Sequence, residues 1–186
     1  IVEAARQLAA QGRSDFQILF AGDDQGRTGY AAEVQAAIDA AGLADVVRIV
    51  GHCDDMPAAY KLADLVVSAS TDPEAFGRVS VEAQAMGKPI VATDHGGSRE
   101  TVLDGETGWL IQPGNARQLA QAIDAGLGLD TDARAAIASR AMQFVRETFP
   151  KQLMCARTLE VYREVLAESL ATHAGNDPGP GGQVAA

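Results

Sequence analysis

Two glutamates eight positions apart are the residues of this chain whose type and spacing best suit chemistry on a ligand. Glu74 lies in a polar loop after an apolar run, and Glu82 lies in the helix predicted to start at Arg78. Gly77, at the boundary, allows a ligand to approach the backbone closely. Helix-start N–H groups lack intrahelical partners and favour an anion. They belong to Arg78, Val79 and Ser80.

The two carboxylates flank this anion site and suit a different part of a ligand. Ionised Glu74 and Glu82 repel phosphate, but they accept hydrogen bonds from hydroxyl groups, as on a sugar or a ribose. Each also has a simpler interpretation taken alone. Glu82 would complement the helix dipole, and Glu74 would be a solvated surface charge. The prediction of a ligand site depends on both glutamates occurring around one predicted helix start.

Two other loops are candidate ligand contacts. The segment 94–98 contains Gly96 and Gly97 before a predicted helix, which suits a tight turn with close backbone approach. The segment 51–56 contains Cys53 and Asp55. The alternative for that segment is a plain turn in which an aspartate, Asp54 or Asp55, caps the next helix.

Short apolar runs alternate with helical patterns and predict the elements that position these loops. The predicted strands are 16–21, 46–50, 65–69, 89–93 and 108–111. The predicted helices are 1–10, 30–41, 56–63, 78–86, 98–103, 116–124, 131–148 and 151–170. This alternation predicts an α/β fold, a Rossmann-like parallel sheet with helices on both faces. Ligands of such sheets bind at the carboxyl ends of the strands, where the candidate loops lie.

Composition limits the functions that remain. The 186 residues carry 25 acidic and 15 basic side chains, for a net charge of −10, which argues against a nucleic-acid partner. No apolar run approaches the ~18 residues of a membrane-spanning helix. Two cysteines and three histidines show no metal-ligand spacing, so we expect no metal and a reducing, cytoplasmic setting. We expect one domain, residues 1–170, and a disordered tail at 171–186, which is rich in glycine.

The strings around these loops resemble the signature of retaining family 4 (group 1) glycosyltransferases. They are PEAFG at 73–77, EA at 82–83, AMGKPIVA at 85–92, GG at 96–97, Glu100 and DGETGWL at 104–110. Glu74 and Glu82 match the family's E-x7-E pattern. The resemblance covers roughly residues 1–170, the donor-binding C-terminal domain of a GT-B fold. It implies that the domain's first strand, between strands 16–21 and 65–69, lies upstream of this chain, so we expect a longer native protein.

The resemblance also implies roles for the candidate residues. Glu74, the candidate catalytic residue, would hold hydroxyls of the donor sugar. It is either a nucleophile or a positioning group, and we favour positioning. Glu82 would hold the ribose. Backbone groups of Phe76, Gly77, Arg78 and Val79 would cradle the diphosphate. The remaining donor contacts would be Cys53 and Asp55 at the base, and Gly96 and Gly97 at the sugar.

The implied function is the donor-binding part of a retaining, metal-independent glycosyltransferase with a nucleotide-diphosphate sugar as substrate and no cofactor. A missing N-terminal domain would bind the acceptor, a glycan, lipid or small molecule. This chain alone is then expected to be inactive. The family also implies envelope polysaccharide or glycolipid synthesis, with peripheral association at the inner face of the cytoplasmic membrane. A GT-B sugar-nucleotide epimerase and a non-catalytic nucleotide-sugar-binding module are the alternatives.

Overall fold

The structure is a computed structural model that describes residues 1–22 and 29–174. The chain divides into two compact units, Ile1–Val145 and Arg146–Ala186. The strands are β1 (Ile18–Ala21), β2 (Val47–Gly51), β3 (Val66–Ser68), β4 (Ile90–Thr93) and β5 (Gly108–Ile111). The helices are α1 (Val2–Ala10), α2 (Tyr30–Ala40), α3 (Met56–Leu62), α4 (Arg78–Ala85), α5 (Ser98–Thr101), α6 (Ala116–Leu127), α7 (Thr131–Thr148) and α8 (Lys151–Ala174).

Each predicted helix and strand is present, and the differences lie at the ends. Helix α6 continues three residues beyond its predicted end, to Leu127. Helix α8 continues to Ala174, so residues 171–174 are helical where the sequence predicts the start of a disordered tail. The first helix-breaking glycine of that segment is Gly175, which explains the longer helix. The rest of the predicted tail, 175–186, lies outside the described residues. The division between the two units falls within the range 1–170 predicted as one domain.

The described strands are all parallel and form two separate sheets. Strand β1 pairs with β2, and β3, β4 and β5 pair in that order. No ladder among the described strands joins β1 to β3. The interruption falls between the two strands where the sequence predicts a gap in the sheet.

Strand β4 shows how helices cover both faces of the larger sheet. Side chains alternate along a strand. Ile90 and Ala92 pack in one cluster with Tyr60 of α3, whereas Val91 packs in the main core with Leu8 of α1. Because β3 and β4 are parallel neighbours, the loops that follow them begin at the same edge of the sheet. These are the loops with Glu74 and Gly96, as the fold class predicts.

Candidate functional site

Two glycines bring the loop after β3 onto the loop after β4. The Gly97 N–H donates to the Glu74 carbonyl oxygen at 2.8 Å. A Cβ at Gly97 would lie 2.5 Å from the Phe76 carbonyl oxygen, and one at Gly96 would lie 2.4 Å from the Glu74 carbonyl oxygen. Both distances are too short for a side chain, so glycine is required for this contact. The Gly97 N–H is therefore not free to contact a donor sugar, since it is already bonded to the Glu74 carbonyl.

A second bond joins the same two loops. Nε2 of His95 lies 3.1 Å from the Ser70 carbonyl oxygen. A carbonyl only accepts, so His95 donates from Nε2. Glu74 is half-buried between these anchors. The loop that carries Glu74 is thus held by its backbone, which leaves the carboxylate for other contacts.

Gly77 is the N-cap of helix α4 and has the left-handed backbone that favours glycine (φ +81°, ψ +58°). The Ser80 N–H donates to the Gly77 carbonyl at 3.1 Å, and so does that of Val81 at 3.4 Å. The expectation that the Ser80 N–H is free for a ligand is therefore wrong, because the first turn closes tightly. Arg78 and Val79 remain the helix-start residues whose N–H groups lack an intrahelical acceptor.

The side chain of Ser80 is a feature that sequence reasoning missed. It is fully buried, and its Oγ has no hydrogen-bond partner within the described part of the chain. A Cβ added to Gly77 would have three side-chain oxygens near it. These are Oγ of Ser80 at 3.8 Å, Oε2 of Glu74 at 3.7 Å and Oγ1 of Thr101 at 3.5 Å. Polar oxygens therefore surround the bare Cα of Gly77. Nothing in the local sequence separates a buried serine here from an exposed one.

Glu82 faces two donors from different elements. Its Oε1 accepts hydrogen bonds from Nε and Nη2 of Arg78, one helical turn away, at 3.2 and 2.9 Å. Its Oε2 accepts from the Tyr60 hydroxyl of α3 at 3.1 Å. The Glu82 side chain is 39% exposed, so a ligand can still reach it. Tyr60 was not among the residues predicted for the site.

Tyr60 is only 5% exposed. Burial, with the hydrogen bond to Glu82 as a second cause, raises the pKa of Tyr60 to about 12. The phenol therefore stays protonated and remains a donor to Glu82 throughout the physiological range.

The loop after β2 supports the simpler of its two interpretations for Asp55. Oδ1 of Asp55 accepts from the Ala58 N–H at 3.0 Å and caps α3. Cys53 is a half-buried free thiol. No hydrogen bond or ion pair within residues 1–22 and 29–169 joins either residue to Glu74 or Glu82. A ligand contact at Cys53 or Asp55 remains a prediction.

No group of three or more His, Cys, Asp or Glu side chains in the described part is placed to hold a metal ion. None of the helices described is long and apolar enough to cross a membrane.

Parallel strands with helices on both faces, and an open helix start close to two glutamates, define an α/β domain with a candidate anion site. Comparison with known proteins identifies the family. Residues 1–144 match the model of the family described as Glycosyl transferases group 1, and the chain belongs to that family. The fold matches the C-terminal GT-B domain. It resembles the crystal structure of the C-terminal domain of a glycosyl transferase group 1 family protein (LpcC) from Francisella tularensis. The TM-score is 0.69 with 28% identity, over 81% of this chain and 77% of that one.

Two further relatives are similar in sequence. D-inositol 3-phosphate glycosyltransferase of Paenarthrobacter aurescens is 38% identical over 136 residues, which is 72% of this chain and 33% of that protein. HepE of Anabaena, crystallised with UDP and glucose, is 34% identical with a TM-score of 0.78, over 87% of this chain and 43% of that one. The chain thus spans between a third and a half of the length of these two proteins.

Proposed function

We propose that this chain is the donor-binding part of a retaining glycosyltransferase that moves a sugar from a nucleotide-sugar to an acceptor hydroxyl. The observation that carries the proposal is the start of α4. There an open helix N-terminus and a glycine with no side chain lie in the segment between Glu74 and Glu82. That arrangement suits a molecule with a central diphosphate and hydroxyl groups on both sides. The likeness to HepE, solved with UDP and glucose, supports the same class of ligand.

Each part of such a donor has a matching group. The N–H groups of Arg78 and Val79 would bind the diphosphate. Glu82 would accept hydrogen bonds from the ribose, and Glu74 from the transferred sugar. The net charge of −10 does not prevent diphosphate binding. Exposed charges more than about 8 Å away are largely screened at physiological salt, whereas the helix dipole acts at contact distance.

The same geometry suggests how transfer is promoted. As the bond between the anomeric carbon and the diphosphate oxygen breaks, negative charge grows on the leaving diphosphate. A helix N-terminus already aimed at that diphosphate stabilises the growing charge without reorganisation. The acceptor oxygen then bonds to the same carbon and gives its proton to the departing diphosphate. In this scheme Glu74 positions the sugar, and no metal ion is required for charge neutralisation.

The acceptor and the biological context are proposed from the family, because the matched span covers only part of the relatives' length. The acceptor is proposed to be a glycan, lipid or small-molecule hydroxyl. Envelope polysaccharide or glycolipid synthesis is the proposed context. The nucleotide base is left open, because the loop after β2 would contact it mainly through backbone groups.

The proposal is tested by turnover at the protein's natural full length. UDP-, GDP- and ADP-sugars are incubated with candidate acceptors, with and without EDTA, and the anomeric configuration of the product is read by NMR. Retained configuration, unaffected by EDTA and lost in Glu74→Gln but kept in the control Glu106→Gln, supports the proposal. Glu106 is a suitable control because it forms a surface ion pair with Arg140. Release of an epimerised sugar nucleotide without acceptor indicates an epimerase, and binding without turnover indicates a non-catalytic module.

A further inference from the structure

We propose that Tyr60 is a positioning residue that orients the Glu82 carboxylate for recognition of the donor's ribose. The inference deepens the proposed function and rests on Glu82 as the ribose-binding group. Its basis is the hydrogen bond from the Tyr60 hydroxyl to Oε2 of Glu82 at 3.1 Å, between residues 22 positions apart on two different helices.

The two partners of Glu82 differ in how firmly they hold it. Arg78 is 84% exposed, and its guanidinium lies on the same helix face one turn away. Such surface pairs fix a carboxylate weakly, because the long side chain keeps most of its freedom. Tyr60 is 5% exposed and packs in the cluster that contains Ala83 and Ile90. Its hydroxyl is therefore held in place by the core, and it is the donor that sets the rotation of the carboxylate.

The acceptor capacity of the carboxylate shows what this orientation achieves. Each oxygen of an ionised carboxylate accepts about two hydrogen bonds. In the structure Oε2 receives one from Tyr60, and Oε1 is bound by Arg78. Oε1 already accepts two hydrogen bonds from Arg78, so Oε2 has the one acceptor site that remains, and Oε1 becomes available to a ligand when the exposed Arg78 side chain moves away. Two adjacent acceptors in a fixed plane suit the two neighbouring hydroxyls of a ribose.

The alternative is that Tyr60 only ties α3 to α4 and contributes to stability. The two roles differ in their effect on ribose discrimination. A purely structural tie would weaken every ligand of the site alike, or would lower stability without changing binding. A positioning role affects the hydroxyl-dependent part of the affinity and leaves the part due to base and diphosphate unchanged.

The test compares UDP with 2′-deoxy-UDP and 3′-deoxy-UDP by calorimetry at natural full length, repeated with GDP and ADP if UDP does not bind. For the wild type we expect a preference for the ribonucleotide of about tenfold or more, the size of a hydrogen bond to a charged group. Tyr60→Phe keeps the ring and removes the hydroxyl. We expect it to reduce that preference at least threefold while affinity for the deoxynucleotides stays within twofold of wild type. Tyr162→Phe is the matched control, since Tyr162 is 61% exposed on α8.

A Glu82→Ala background separates the two hypotheses. If Tyr60 acts through Glu82, then Tyr60→Phe has no further effect on ribose preference once Glu82 is removed. An unchanged preference in Tyr60→Phe, with the wild type and Glu82→Ala behaving as proposed, overturns the role of Tyr60 alone. No ribose preference in the wild type, or none lost in Glu82→Ala, overturns the ribose assignment and the Tyr60 inference with it.

A second measurement covers the case in which Tyr60→Phe does not fold. Site-specific incorporation of 3-fluorotyrosine at position 60, at natural full length, gives a single ¹⁹F signal that belongs to Tyr60. We expect the ¹⁹F resonance of Tyr60 to shift on addition of UDP and to shift at most half as far with 3′-deoxy-UDP. Equal shifts with both nucleotides contradict the inference.

Discussion

Replacing Gly97 by alanine tests whether close contact between two loops builds the candidate site. The backbone of Gly97 has φ −63° and ψ −18°, which alanine adopts without strain. The only new feature is the methyl group. It would lie 2.5 Å from the carbonyl oxygen of Phe76 and 2.6 Å from that residue's Cα and carbonyl carbon. These atoms are backbone and cannot swing away as a flexible side chain would.

The size of the effect follows from these distances. Side-chain Cβ atoms essentially never approach other heavy atoms closer than 3.0 Å, so the Phe76 backbone must retreat by at least about half an ångström. Overpacking of this kind costs about 1–3 kcal/mol. A 1 Å misplacement of binding groups can cost on the order of 100-fold in function. We therefore expect Gly97→Ala to lose about 2 kcal/mol of stability and about tenfold in nucleotide-sugar affinity, equivalent to about 1.4 kcal/mol.

Gly29→Ala is the matched control for this substitution. Gly29 also precedes a helix with helical backbone angles (φ −85°, ψ −25°). Among the described residues, the atom nearest to a Cβ there would be Oε1 of Glu33, at 4.0 Å. Urea unfolding gives the stability of each variant and calorimetry gives its affinity. Wild-type stability and affinity in Gly97→Ala would refute the argument that this contact positions Glu74 and Phe76.

Three further predictions concern stability. Leu8→Ala should cost about 3 kcal/mol in urea unfolding, because Leu8 is fully buried in the main core; a loss below 1 kcal/mol would contradict that packing. Gln84→Leu should cost about 2 kcal/mol, since its buried Nε2 donates to the carbonyls of Ser80 at 2.9 Å and Thr101 at 2.6 Å; an unchanged urea midpoint would show that these bonds contribute nothing. The folded pKa of Tyr60, about 12 and caused by burial and Glu82, lies above the ~10 of an unfolded phenol. Its contribution to stability should be complete below pH 10 and disappear between about pH 10 and 12. The free energy of unfolding of the wild type minus that of Tyr60→Phe should therefore fall over this range, and a constant difference would refute the prediction.

Local sequence predicted the elements well, because each is marked locally. Strand β4 is an unbroken apolar run, and α2 ends close to Gly42, where the sequence itself supplies the stop signal. Helix α8 extends beyond its predicted end because no helix-breaking residue occurs before Gly175, although the composition of the tail predicts disorder. Asp55 had two possible roles in the sequence, and the choice between them needed the position of the Ala58 N–H.

The contacts that shape the site could not be predicted in the same way. The Tyr60–Glu82 bond joins two helices that β3 separates in the chain, so it depends on how both pack. The need for glycine at residue 97 comes from Phe76, which is near it only after β3 and β4 pair. Burial of the Ser80 hydroxyl likewise follows from tertiary packing. Motif spacing indicates which loops are candidates for the site, but it does not indicate which atoms in those loops are bonded to each other.

The central claim is that α4 and its two glutamates form a nucleotide-sugar donor site. It is tested most directly by calorimetric binding of UDP-, GDP- and ADP-sugars at natural full length. Glu82→Ala serves as the test variant and Glu160→Ala, on exposed helix α8, as the control. We predict saturable binding of one nucleotide class, weakened at least ~10-fold, about 1.4 kcal/mol, by Glu82→Ala and unchanged in the control. A folded protein that binds none of the three classes, or that binds equally well without Glu82, would contradict the account.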